Sequence, residues 1–165
     1  MVRGGVLQGE AGLEQIRQGL TIYRAMGAEV GRSFFLALLA EVYGKEGQIA
    51  EGLAALAEAE EFVAQTGERY WEAEIYRQRG ELLLAQSVDH QSQAERCFQQ
   101  ALDVARSQEA KSLELRAAMS LARLWQRQGK RTEACELLAP IYGWFTEGFD
   151  TVDLREAKAL LDELT

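Results

Sequence analysis

The feature that most constrains this chain is an internal repeat. Gly12-x3-Ile16-x2-Gly19 recurs as Gly52-x3-Leu56-x2-Ala59, Ala94-x3-Phe98-x2-Ala101 and Ala134-x3-Leu138-x2-Ile141, with the small residues 40, 42 and 40 positions apart. Steps of four and three put all three residues of each copy on one helical face. A second signature precedes the last three copies: Leu39-Ala40-x2-Tyr43, Arg79-Gly80-x2-Leu83 and Leu121-Ala122-x2-Trp125. Its small residue lets a neighbouring helix approach closely, and its large one fills the space beside it. Tyr43 to Gly52 and Trp125 to Ala134 are nine residues apart but Leu83 to Ala94 are eleven, so the Ser87–Gln91 loop carries a two-residue insertion. Such a chain stacks helix pairs, each burying one face on its partner and another on the next pair.

The spacing predicts a first helix at about Gly9–Met26. Pairs follow at about Gly31–Lys45 with Ile49–Gln65, Arg69–Gln86 with Ser92–Ser107, and Ala110–Gln128 with Arg131–Phe145. Gly27 and Gly67 stand where a left-handed helix stop is wanted, and Gly47 and Gly129 lie in turns. Pro140 predicts a kink or break near Ala139. A last helix, Val152–Leu164, capped by Asp150 or Thr151, carries the face Leu154, Ala157, Leu161 and Leu164 and covers the end of the stack.

The two signatures together resemble the tetratricopeptide repeat (TPR), patterned W-x2-L-G-x2-Y…A-x3-F…P. The likeness covers nearly the whole chain. It departs from the pattern in a repeat longer than the usual 34 residues and in lacking the terminal Pro in every unit. The fold it implies is all-α: a right-handed α-α superhelix of about 3.5 helix pairs plus a C-terminal capping helix. Its single domain, 1–165, divides into units of about 9–27, 31–67, 69–108 and 110–147, with the cap at 151–164.

Composition narrows the function. Eighteen Lys+Arg against 26 Asp+Glu leave a net charge of −8, which repels nucleic-acid backbones. The sequence holds no apolar run long enough to span a membrane and no signal-peptide layout, so a cytoplasmic setting is expected. Cys97 and Cys135, without a CxxC, suggest neither a disulfide framework nor a zinc site and read as packing thiols. The single His90 reads as a solvated loop residue, and Glu58, Glu60 and Glu61 as a solvated helix face. Trp71, Trp125 and Trp144 read as core. Gly44-Lys45 and Gly129-Lys130 lack the rest of a phosphate loop. No catalytic residue, metal site or cofactor is expected.

In TPR-like solenoids the first helices of successive pairs line the concave surface, and the resemblance implies recognition there. Aligned, those helices would present Phe34, Ala37, Glu41 and Lys45; Glu74, Arg77, Glu81 and Ala85; and Arg116, Met119, Arg123 and Arg127. The groove would then run from acidic to basic and take a protein or peptide. The competing reading is that Glu81 and Arg123, in equivalent positions, simply pair with each other. The TPR domains that clamp acidic chaperone C-termini use asparagines, and this chain contains no Asn.

Only Met1–Leu7 stand where the first unit's first helix should be, which would leave Leu13, Ile16, Leu20 and Tyr23 open. That reads as the C-terminal part of something longer. The stretches Phe35–Gly44, Gly67–Glu74 and Pro140–Asp150 are similar to the C-terminal repeats of large bacterial signalling ATPases, which carry a class III nucleotidyl cyclase or a DNA-binding output domain. That likeness implies a non-catalytic module that binds a protein partner and restrains or releases upstream domains of the same chain. Two alternatives stand beside it: a small-molecule or peptide sensor using the concave groove, and a stand-alone adaptor or homodimer through the N-terminal helix.

Overall fold

The computed structural model describes residues 4–27 and 29–165 and is all-α, with no strand among the described residues. Its helices are α1 (Gly4–Ala25), α2 (Arg32–Lys45), α3 (Ile49–Thr66), α4 (Glu72–Gln86), α5 (Gln91–Ser107), α6 (Lys111–Arg127), α7 (Arg131–Gly143) and α8 (Val152–Leu164). A short 3-10 turn, Val88–His90, takes up the two-residue insertion between α4 and α5. Helix α1 is longer at its start than the spacing suggests. Of the stretch Met1–Leu7, residues 1–3 lie outside the described residues and the remainder is already helical.

Each helix packs on the next in sequence, and α2, α4, α6 and α8 also touch one another in succession. Among the described residues α3, α5 and α7 touch only their sequence neighbours. The stack is therefore tighter on its even-numbered side. Buried side chains form one apolar cluster running from Leu13 to Leu82 and another from Ala94 to Leu164. Helix α4 joins them, giving Ile75 and Leu82 to the first and packing Tyr76, Leu83 and Leu84 against the second.

The repeat signatures are the contacts between paired helices. Leu56, Phe98 and Leu138 are fully buried; Leu56 shares its apolar cluster with Ala40 and Leu138 with Ala122, while Phe98 lies against Gly80. Size is traded within pairs: Ala40 and Ala122 go with leucines, whereas Gly80 goes with phenylalanine. A Cβ on Gly80 would lie 2.5 Å from the Phe98 ring, so the larger ring requires the smaller neighbour. Likewise, a Cβ on Gly52 or on Gly44 would come within 2.8 Å of a Leu82 methyl.

Left-handed residues follow α1, α2, α3, α5 and α6, whereas α4 ends on an extended Ser87. Gly67 (φ 74°) closes α3 by donating its N–H to Val63. The same register after α5 holds Glu109 at φ 53°, a residue type that pays a steric cost there.

Several expectations change. α7 runs through Pro140 to Gly143 without a break: Pro140 and Glu136, whose carbonyl loses its amide partner, are both solvent-exposed. Trp144 is exposed at the end of α7, while Trp71 and Trp125 are half-buried against the core. Leu160, not Leu161, completes the buried face of α8, and Thr151 caps that helix without a side-chain bond. Leu13 and Leu20 are buried rather than open, because they face α2.

Replacing Gly80 by Ala should cost about 1–3 kcal/mol through overpacking. Adding Phe98→Leu should recover part of that loss in a urea-denaturation double-mutant cycle; strict additivity of the two losses would contradict the size exchange.

Candidate functional site

Helices α2, α4, α6 and α8 form one continuous side of the molecule, where the repeat aligns four rows of residues. The first row is Phe34, Glu74 and Arg116, and the second Ala37, Arg77 and Met119. Because α2, α4 and α6 pack against each other, these rows fall in the seams between them. Ala37 and Met119 are buried, and Phe34 meets the Trp71 ring edge-on at 5.3 Å. Glu74, expected in an open groove, is 1% exposed.

A buried charge needs partners, and Glu74 has two cations. Arg77 is bidentate to it, donating from Nη2 to Oε1 at 2.6 Å and from Nε to Oε2 at 2.9 Å. Arg116 brings Nη2 to 3.0 Å of Oε1, tying α6 to α4. The Arg77 Nη1 donates to Ser120 Oγ at 3.4 Å, and Ser120 in turn donates to Glu81 Oε1 at 2.6 Å. Arg116 Nε also lies 3.9 Å from Asp153 Oδ2 on α8. Burial alone would lower the pKa of Arg77, but its hydrogen bonds and charge contact with Glu74, helped by Glu81, raise it instead. This is a polar clasp across three helices rather than an open binding charge.

The third row, Glu41, Glu81 and Arg123, and the fourth, Lys45, Ala85 and Arg127, reach the surface. Lys45 donates to Glu41 at 2.7 Å. Arg123 does not pair with Glu81; it reaches Glu156 of α8 at 2.9 Å. Arg127 makes no ion pair among the described residues and borders a shallow depression with Glu81, Arg123 and Gln126. Between α2 and α4 lies a second depression of about 290 Å³. Its walls combine apolar Leu82, Ala40 and Gly44 with two ion pairs, Glu41 with Lys45 and Glu81 with Arg77, the latter at 3.6 Å. The expected acidic-to-basic gradient is thus largely neutralised by pairing: of the three α6 arginines, only Arg127 has no partner among the described residues.

Elsewhere, two of the three glutamates read as a solvated face hold helices together. Glu58 accepts from Arg24 and from Arg32, and Glu60 from Arg79 at 2.8 Å. Desolvation pushes the Glu58 carboxyl up, but the hydrogen bonds and charges of Arg32 and Arg24 outweigh it and hold the pKa below its ordinary value. Glu114 behaves alike: burial raises it, and Lys111 and Arg106, each donating at 2.9 Å, bring it below normal. Cys97 is buried and its thiol pKa is raised by desolvation. His90 ends the 3-10 turn at the N-cap position of α5, makes no side-chain cap bond and is half-buried rather than fully solvated. No group of three or more His, Cys, Asp or Glu able to hold a metal occurs among the described residues.

No family model matches the chain. It is 30% identical over 122 residues to an uncharacterized protein of Rhizobium meliloti (strain 1021), an alignment that spans 74% of this chain and 12% of that relative. The chain therefore corresponds to a small part of the curated relative's length. No described helix is long and apolar enough to cross a membrane.

Replacing Glu74 by Gln leaves two guanidinium groups partly buried and should cost about 3 kcal/mol in urea unfolding; a loss below about 0.5 kcal/mol would show that the clasp is not structural. Glu58 and Glu114 have lowered native pKa values, so their stabilisation is complete above the ordinary carboxylate range and is lost as pH falls through those lowered values. Unfolding free energy should decline below about pH 5. Glu114→Gln should flatten that decline, and an unchanged slope would count against the assignment.

Proposed function

We propose that this chain is a non-catalytic interaction module with a TPR-like superhelical fold, recognising a protein or peptide on the face made by α2, α4, α6 and α8. One observation carries the reading: these four helices touch in succession while α3, α5 and α7 do not. A stack tighter on one side bends towards it, giving a concave even-helix face. The third and fourth rows put Glu41, Glu81, Arg123, Lys45, Ala85 and Arg127 on that face, all at least partly exposed. The groove is polar at its rim and apolar at the α2–α4 depression, a combination suited to a peptide chain.

The module's setting, in this proposal, is a longer bacterial signalling protein, where partner capture restrains or releases an ATPase or nucleotidyl cyclase on the same chain. The match to a small part of a much longer relative is consistent with that placement. So is the Pro140–Asp150 stretch. It leaves Trp144 and Phe149 exposed where helix packing alone would place polar residues.

Photo-crosslinking tests the face. With benzoylphenylalanine at Ala85, at Arg127 and, on outer helix α5, at Asp103, adducts in cells expressing the protein should form from the first two positions only. Equal adducts from Asp103, or none from Ala85 and Arg127, would contradict the proposal.

A further inference from the structure

Helices α3, α5 and α7 bury the small–large–small row of the repeat, and α1 does not. On α3 the row Gly52, Leu56 and Ala59 is buried, and its equivalents on α5 and α7 are buried too. On α1 the same row leaves Gly12 and Ile16 half-buried and Gly19 exposed. Among the described residues α1 touches only α2, whereas α3, α5 and α7 each lie between two helices.

Helix α2 repeats the pattern. Ile75, Gln78 and Leu82 of α4 are at most 6% exposed because they face back onto the preceding pair. Their equivalents on α6, Ala117, Ser120 and Leu124, are buried as well. On α2 the row is Phe35, Leu38 and Val42, apolar throughout, yet all three are only half-buried. Two open faces thus lie side by side on α1 and α2, where every later unit has a helix.

The glycines of α1 point to a close-packed helix in that place. Gly12 and Gly19 sit inside α1, where glycine weakens a helix relative to alanine. At Gly44, Gly52 and Gly80 packing explains the choice, because a Cβ there would come within 2.8 Å of a neighbouring side chain. A Cβ on Gly12 or Gly19 would meet nothing within 4 Å among the described residues. What Gly52 approaches shows what Gly12 lacks. Its Cβ would lie 3.3 Å from the Ala40 carbonyl oxygen and 3.5 Å from the Tyr43 Cβ, the small and large residues of the first helix in that pair. The far end of the stack is finished differently: α8 turns Arg155, Glu156, Lys158, Asp162 and Glu163 to solvent, a polar outer face of the kind that closes a solenoid. A second copy stacked head to tail would press those charges against an apolar face with nothing to pair them.

Resting on the reading of this chain as a module of a longer polypeptide, we propose that the open face of α1 and α2 seats one further helix of that polypeptide, of the same kind as α2, α4 and α6. The succession of even-numbered helices places it beside α2, and the matched relative extends far beyond the 12% of its length that aligns. Its chemistry follows from the pairs already present: an amphipathic helix with a small residue set against Ile16 and a large apolar one three positions on, as in Ala40 with Tyr43 and Ala122 with Trp125. Seated there, it buries Leu38 and Val42 as Gln78 and Leu82 are buried, and extends the even-helix face by one member.

A fusion tests this. Residues 1–8 are replaced by a copy of residues 111–130, which brings the α6 sequence and its turn into register ahead of Gly9, because Ala134 and Gly12 are equivalent. The fusion should melt at least about 4 °C above the chain. Gly12→Leu should then change sign. In the chain, where the position is open, it should raise the thermal midpoint by about 1–3 °C through helix propensity. In the fusion it should lower the midpoint by at least about 4 °C through overfilling. Ala122→Leu made only in the copied helix should lower it likewise. A fusion no more stable than the chain, or a Gly12→Leu effect of the same sign in both, would overturn the proposal. Sedimentation equilibrium showing the chain to be a dimer that Gly12→Leu dissociates would also overturn it, since a second copy would then hold the face. Crosslinks at Ala85 and Arg127 that persist while the fusion fails bring down only this inference; their loss with a stabilised fusion brings down only the recognition face.

Discussion

Everything in this structure depends on how closely two helices of a pair can approach. That distance is set by a small residue on one helix facing a large apolar one on the other. Ala40 with Leu56, Gly80 with Phe98 and Ala122 with Leu138 are three solutions to the same spacing problem. The middle pair shows the constraint most clearly, because its larger ring is accommodated only by removing the Cβ opposite. Once the pair spacing is fixed, the second face of each helix is presented to the next pair, and the stack grows by repetition.

Between pairs a different interaction takes over on the even-helix side. Glu74 lies in the seam between α4 and α6 with two arginines, and the network continues through Ser120 to Glu81 and through Arg116 towards α8. A buried ion pair of this kind gives little net stability compared with apolar packing, but it tolerates misalignment poorly. Its effect is to fix the register of three helices beneath the exposed rows. The rim residues Glu41, Glu81, Arg123 and Arg127 are thereby held at defined spacings above it.

Much of this was legible in the sequence. The repeat placed the helices to within a few residues at nearly every end, located the glycine stops at Gly27 and Gly67, and picked out the small and large residues that form the core without pairing them across helices. What it missed were long-range partners. Glu58 and Glu60 look solvated from their own helix, and only packing brings Arg24, Arg32 and Arg79 against them. Glu74 looked like a groove residue because charge suggests exposure. Yet its register equivalent is Phe34, an aromatic, which marks the position as a contact site. Arg123 was weighed against Glu81, the nearest equivalent position, while its actual partner, Glu156, lies on the final helix outside the repeat. Trp144 read as core from its place at an expected helix-contact position, but it caps the end of α7 and is exposed.

The most direct measurement is pulsed electron–electron resonance on two pairs of spin labels, in a background where Cys97 and Cys135 are replaced. One pair, Lys45 with Arg127, spans α2 to α6 on the inner side. The other, Ala57 with Ala139, spans α3 to α7 on the outer side over the same number of residues. An inner distance clearly shorter than the outer one is what a stack curved around the even helices requires. Equal distances, or a shorter outer one, would contradict a concave face on α2, α4, α6 and α8 and with it the site built there.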